Sequence, residues 1–151
     1  MPENLDRDLL YVIHDVARLM RTKFDQRARA YGMTRAQWVI LSRLERQPGL
    51  SQNEMAAIVE VEPITIARLV DRLQTAGFVE RRADPKDRRI WRLHLTPAAE
   101  PMLAEIKKHK ESLREEITAG VKPATIDVMV DELLKLKANL TSDGRTILRA
   151  V

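Results

Sequence analysis

Apolar residues recur along this chain at spacings of three and four, interrupted at a few points by glycine and proline, so the pattern predicts helices over most of its length. The first stripe, Leu10, Ile13, Ala17, Met20 and Phe24, predicts one long helix from about Leu5 to Ala30, ended by Gly32. Thr34-Arg35-Ala36-Gln37 then has the form of a capping box, in which the threonine oxygen and the glutamine side chain satisfy the backbone donors that a helix start leaves open. The helix it opens carries Trp38, Ile40, Leu41 and Leu44 and stops near Gln47-Pro48-Gly49, where proline and glycine prevent continuation. A second box, Ser51-Gln52-Asn53-Glu54, starts a short helix through Met55, Ala56, Ile58 and Val59. After Glu60-Val61-Glu62, Pro63 suits the first position of another helix, whose Ile66, Leu69, Val70 and Leu73 turn inward before Gly77 closes it. Glu62 is a mediocre cap, so this link is expected to depend on tertiary packing.

Beyond Gly77 the period changes from helical to two. Phe78–Arg82 and Ile90–Leu95 are short β-prone runs flanking Asp84-Pro85-Lys86-Asp87-Arg88-Arg89, which reads as a strand, a tip and a strand. On the descending arm alternation sends Trp91, Leu93 and Leu95 to a face that packs on the helical body, and Ile90, Arg92 and His94 to the other, arginines outward. Two helices joined by a tight link and followed by a hairpin make a winged helix-turn-helix, in a chain that is otherwise mainly α. Thr96-Pro97 predicts a well-capped long helix with the stripe Leu103, Ile106, Leu113 and Ile117, ending at Gly120. Pro123 begins a last helix with Ile126, Met129, Leu133, Leu136 and Leu140, until Thr141-Ser142-Asp143-Gly144 breaks it and leaves a short tail expected to be mobile.

One compact chain follows, with a helix over 1–32, a winged helix-turn-helix over 33–96, and two helices plus the tail over 97–151, rather than independent domains. The stripes of the terminal helices are too long for the small central motif to bury. A two-fold homodimer through these helices is the economical way to cover them.

Composition narrows the classes without choosing among them. The chain has 151 residues, 44% hydrophobic and 32% charged, with only five glycines and few aromatic residues, which disfavours an all-β fold or a glycine-cradled nucleotide pocket. The formal net charge of +4 matters because basic residues cluster in the hairpin, where Arg81, Arg82, Lys86, Arg88, Arg89 and Arg92 outnumber Glu80, Asp84 and Asp87. Cysteine is absent, removing disulfides and thiolate metal sites. No apolar run approaches the roughly 20 residues of a membrane span, and the N-terminus lacks a basic region followed by an apolar one, so a cytoplasmic protein without a membrane partner is expected. His14, His94 and His109 fall on separate elements, and no catalytic constellation, metal site or cofactor is expected.

Several of these motifs together resemble the MarR family of bacterial transcriptional regulators: Met33-Thr34 followed by Gln37-Trp38, the run Leu69-Val70-Asp71-Arg72-Leu73 into Gly77, and the wing from Asp84 to Arg89 closing on Leu95-Thr96. The spacing of Asp87 and Arg89 ahead of Leu95-Thr96 is the most specific part. The resemblance implies a two-fold dimer interlocked through its terminal helices, bound to double-stranded DNA at a pseudo-palindromic operator. It implies that the second helix of each motif enters the major groove and that Arg89 reaches into the adjacent minor groove, with Asp87 holding the tip or steering the arginine. Members typically repress genes, and many release DNA when a small aromatic, often phenolic or carboxylated, compound binds between the dimerisation region and the DNA-binding lobe.

On that footing the candidate DNA contacts are Ser51 and Gln52 at a helix start where free amides favour a phosphate, Pro63, Thr65, Arg68 and Arg72 on the second helix, and Lys86, Arg88 and Arg89 on the wing. Arg68 is the leading base reader, since a guanidinium can bridge O6 and N7 of guanine, and its competing role is an ion pair with Asp71. His14 and Arg18, four apart on the first helix, can meet a carboxylate near Trp38 if the helices pack as in the family. The plainer alternative, favoured by the residues alone, keeps Trp38 in the core and His14 merely exposed. Two other functions remain open: a SlyA-like DNA-binding protein that opposes nucleoid proteins without sensing a ligand, and a winged-helix module that binds proteins only.

Overall fold

A computed structural model describes residues 4–141. Of the break predicted at Thr141-Ser142-Asp143-Gly144, Thr141 still belongs to the last helix, and the other three residues and the tail beyond them lie outside the described residues. A single 3₁₀ turn, Leu5–Arg7, precedes α1 (Leu9–Arg29), and the chain continues through α2 (Arg35–Arg46), α3 (Gln52–Val59) and α4 (Pro63–Thr75). The hairpin β1 (Val79–Ala83) and β2 (Trp91–Leu95) follows, then α5 (Glu100–Thr118) and α6 (Pro123–Thr141).

Both capping boxes form. Thr34 accepts from the Gln37 amide while Gln37 accepts from the Thr34 amide, and Ser51 and Glu54 repeat the exchange at the start of α3. Glu62 gives α4 no side-chain cap, and the preceding turn is set instead by Glu60 in the left-handed region at φ 61°. Two starts differ from expectation. The first helix begins at Asp8, whose carboxylate accepts from the Leu10 and Tyr11 amides, rather than at Leu5. Thr96 does not cap a helix: its hydroxyl donates to the Gly77 carbonyl, and Pro97 opens a 3₁₀ turn, Pro97–Ala99, ahead of α5. The threonine thus ties the exit of the wing to its entrance.

The core lies under the motif, where Ile40 and Leu41 of α2, Met55 of α3, Ile66 and Val70 of α4, Leu93 of β2 and Ile106 of α5 are each no more than 1% exposed. The strands pair antiparallel with Val79 opposite Leu95 and Ala83 opposite Trp91. The segment before α3 adds an edge to this sheet, as Leu93 donates to the Leu50 carbonyl, Gly49 donates to the Leu93 carbonyl, and Ser51 bridges Arg92. Gly49 stands at φ 85°, and a Cβ there would lie 3.5 Å from the His94 ring, so its geometry suits glycine. Alternation along β2 holds only inward of the tip: Leu93 is buried and Leu95 half-buried, whereas Trp91, expected to pack on the helical body, is 45% exposed because the sheet overhangs the core at that end.

The terminal helices contrast with this core. No residue of α6 is buried, and on α1 only Ala28 is. Leu9, Leu10, Val16 and Leu19 of α1 and Val128, Met129, Leu133 and Leu134 of α6 remain exposed.

Candidate nucleic-acid interface and ligand cavity

The outward face of α4 is fixed by its inward one. With Ile66, Val70 and Leu73 buried, the helical repeat leaves Thr65, Arg68 and Arg72 exposed together, beside Pro63 at the first turn. Among the described residues no ion pair or hydrogen bond engages the side chain of Arg68, Arg72, Lys86 or Arg88. The carboxylate that could have taken Arg68 or Arg72 is used elsewhere, since Asp71 lies 2.7 Å from Arg81. Ile64, 63% exposed and four residues before Arg68, was not singled out from sequence; its signal was an isoleucine out of phase with the buried stripe.

Arg81 is the tie between the wing and the helices. Besides Asp71 it donates to Gln52 Oε1 at 3.0 Å, Gln74 Oε1 at 2.8 Å and the Ala67 carbonyl at 3.0 Å. Gln52 accepts from Arg81 and Ser51 accepts from the Glu54 amide, which leaves the Ser51 hydroxyl proton and the Gln52 NH2 group as donors. At a helix start the Gln52 and Asn53 amides have no acceptor within the helix, so backbone N–H groups join the Ser51 hydroxyl and the Gln52 side-chain amide as donors that suit a phosphate.

Asp84 and Asp87 divide the work of shaping the tip. Asp84 is buried and accepts from the Lys86 amide at 2.7 Å, the Asp87 amide at 3.0 Å and Arg92 Nε at 2.6 Å. The Arg92 guanidinium and the Lys86 amide hold its carboxyl below the usual carboxylate range. Arg92, expected to face outward, is instead consumed internally, since it also donates to the Gly49 carbonyl at 2.9 Å. Asp87 accepts from the Arg89 amide and from its guanidinium at 3.1 and 3.2 Å, and this pair lowers the Asp87 carboxyl likewise. Arg89 is thereby aimed while its side chain stays 90% exposed.

A cavity of about 510 Å³ opens between α1, α2, α5 and the end of α3. Met20, Phe24, Trp38, Val39 and Ile106 supply its apolar wall, and Arg21, Arg35, Arg43, Arg46 and Lys110 line it against the single carboxylate of Glu60. Desolvation, with Arg46 and Arg43 nearby, pushes the Lys110 ammonium below the ordinary lysine value. Trp38 is 3% exposed, and its ring lies 5.8 Å from that of Tyr31 and 5.3 Å from that of His109. The Tyr31 hydroxyl is 2.9 Å from Glu105 and 3.0 Å from His109 Nε2, and the hydrogen bond to Glu105 raises the phenol. His14 and Arg18 do not line this cavity; they are exposed on α1, where Arg18 lies 3.5 Å from Asp15. The cavity's cations sit on several helices, and along the sequence they are indistinguishable from solvated surface charge.

Among the described residues no group of histidines and carboxylates could hold a metal ion, and no helix is long and apolar enough to cross a membrane. A helix-turn-helix with an exposed cationic second helix and an arginine-tipped wing defines a winged-helix protein of the DNA-binding class. The MarR family model matches residues 33–91, from the start of α2 into β2. The chain is 32% identical to the transcriptional regulator PA3341, covering 87% of this chain and 96% of that one with a TM-score of 0.75. It is 26% identical to MarR over 95% of this chain and 98% of that one, with a TM-score of 0.79. With the transcriptional regulator SlyA the identity is 25%, over 90% and 96% of the two chains, with a TM-score of 0.76. This chain belongs to the MarR family of transcriptional regulators.

Proposed function

We propose that this regulator binds a pseudo-palindromic operator as a homodimer, represses from it, and is released by a small aromatic anion. The observation that carries the DNA reading is the division of cations: those holding the wing to the helices are paired, whereas Arg68, Arg72, Lys86 and Arg88 are exposed without partners. In this reading Arg68 bridges a guanine edge and Ile64 offers an apolar contact to a thymine methyl beside it. Thr65, Arg72 and the start of α4 at Pro63 contact the same groove, and the amides of Gln52 and Asn53 beyond Ser51 take a phosphate. The wing carries Lys86 and Arg88 along the backbone and Arg89, aimed by Asp87, into the minor groove.

Uncovered apolar faces on α1 and α6 support the dimer. A Leu133→Asp chain should sediment as a monomer and lose operator binding, whereas a dimer of full affinity would move the interface elsewhere. The ligand reading rests on the cavity, whose apolar wall and cationic lining suit an aromatic carboxylate; Trp38 contributes its ring, while His14 and Arg18 would be reached only by a ligand extending along α1. Fluorescence anisotropy tests the whole reading, with duplex DNA from upstream of the chain's own gene, a random duplex, a salt series and a panel of aromatic carboxylates. Preference for the upstream duplex, falling with salt and abolished by one carboxylate, is the expected result. Equal affinity for both duplexes would remove the operator, and indifference to every carboxylate would remove release by that ligand class.

A further inference from the structure

We propose that Trp91 is a DNA contact in its own right, an apolar pad that lies on the deoxyribose rings of the strand passing between α4 and the wing. It rests on the DNA-binding reading above and adds a residue which that reading does not contain. Register places Trp91 opposite Ala83, so both share the sheet face that carries Val79, Arg81 and Leu93. This is the face turned toward the helices, as Val79 and Leu93 are buried and Arg81 reaches Gln52 of α3 and the Ala67 carbonyl of α4. The indole therefore stands at the outer end of the helix-facing side of the wing, next in sequence to Arg92, where Ser51 bridges the sheet at the start of α3.

The described residues cover it only in part. Trp91 is 45% exposed, and its cross-strand neighbour Ala83 has only a methyl group to offer. Unpartnered cations lie both beyond it, at Lys86 and Arg88, and on α4, at Arg68 and Arg72, so the occupant that charge selects for the space between them is a polyanion. Between its phosphates a DNA strand presents sugar, an apolar surface that an indole can cover with favourable loss of water.

A sugar contact has its own signature. It carries neither base information nor charge, so it should change affinity equally on all sequences and leave the salt dependence unaltered. The 151-residue chain, a duplex it selects from a random-sequence pool and a scrambled duplex of equal length supply the test. Trp91→Ala is expected to weaken both complexes by the same factor, about tenfold or roughly 1.4 kcal/mol, with the slope of affinity against salt that of the parent. Emission of the parent should move to shorter wavelength at DNA saturation, and Trp91→Phe, in which only buried Trp38 remains, should lose that shift while keeping most of the affinity. Parent affinity in Trp91→Ala, or the same emission shift in Trp91→Phe, overturns the contact while leaving the DNA reading intact. A changed salt slope would make the loss one of phosphate contacts and overturn it too, and a chain that selects no duplex removes both readings.

Discussion

Within the wing and on the outward face of α4 the same side chain is put to opposite uses. Arg81 and Arg92 are drawn in, the first among Asp71, Gln52, Gln74 and the Ala67 carbonyl, the second between Asp84 and the Gly49 carbonyl. Arg68 and Arg72 have no such partners and face outward. The difference teaches that net basicity does not locate a binding surface. Guanidiniums with several fixed acceptors serve as scaffold, and those whose acceptors have been taken by others are left for a ligand. Asp71 shows the logic in one residue, because the carboxylate expected to compete for Arg68 is paired with Arg81 instead.

The largest effect expected from this contrast is on stability. Arg81→Ala removes the wing's tie to both helices and strands acceptors at a partly buried site, and should cost about 2–4 kcal/mol. Arg68→Ala should stay within roughly 0.5 kcal/mol of the parent. Urea denaturation of the two variants reads this directly, and equal midpoints would erase the distinction between scaffold and ligand arginines. The next effect is on binding. Arg68→Ala should lower specific affinity by about 1–3 kcal/mol and relax preference at one base position, as measured by competition with single-base operator variants. An unchanged preference would take Arg68 out of the reading role.

The smallest effect is a pH dependence of the wing. The Asp84 carboxyl is held below its ordinary value by Arg92 and the Lys86 amide, so its contribution is present above the unfolded-state value, about 3.9, and is lost as pH falls through the lower folded-state value. Asp84→Asn keeps the size but not the charge. Its stability should therefore fall less steeply than the parent's below about pH 4, on a background shared by Asp87, Glu105 and Glu116, whose carboxyls are lowered as well. Parallel acid profiles would mean that the Asp84–Arg92 pair does not shape the hairpin.

Much of the architecture was legible because it is local. The two capping boxes, Pro63 at the first turn of α4 and Gly77 beyond its last carry their own geometry in three or four residues, and each element falls where its signals put it. Thr96 was misread for the same reason in reverse: a threonine before proline looks like a cap, but a carbonyl brought close by the hairpin, that of Gly77, took its hydroxyl. Trp91 and Arg92 were misassigned because alternation says which faces two neighbours take and not how far the underlying core extends. The ligand cavity was nearly invisible. Trp38 could be named from its motif, but Arg21, Arg35, Arg46 and Lys110 meet only after α1, α2 and α5 pack.

By itself, then, the sequence determined the secondary elements, their order, the buried stripes of α2 to α5, and the motif set that places the chain in its family, because hydrophobic period and cap chemistry act over one or two turns. Tertiary structure alone decided which arginines are scaffold and which are exposed, which aspartate organises the wing tip, and where a cationic cavity opens. Those outcomes depend on which acceptor lies within about 3 Å of a flexible charged side chain, and residues far apart in the chain supply that acceptor only once the core has formed.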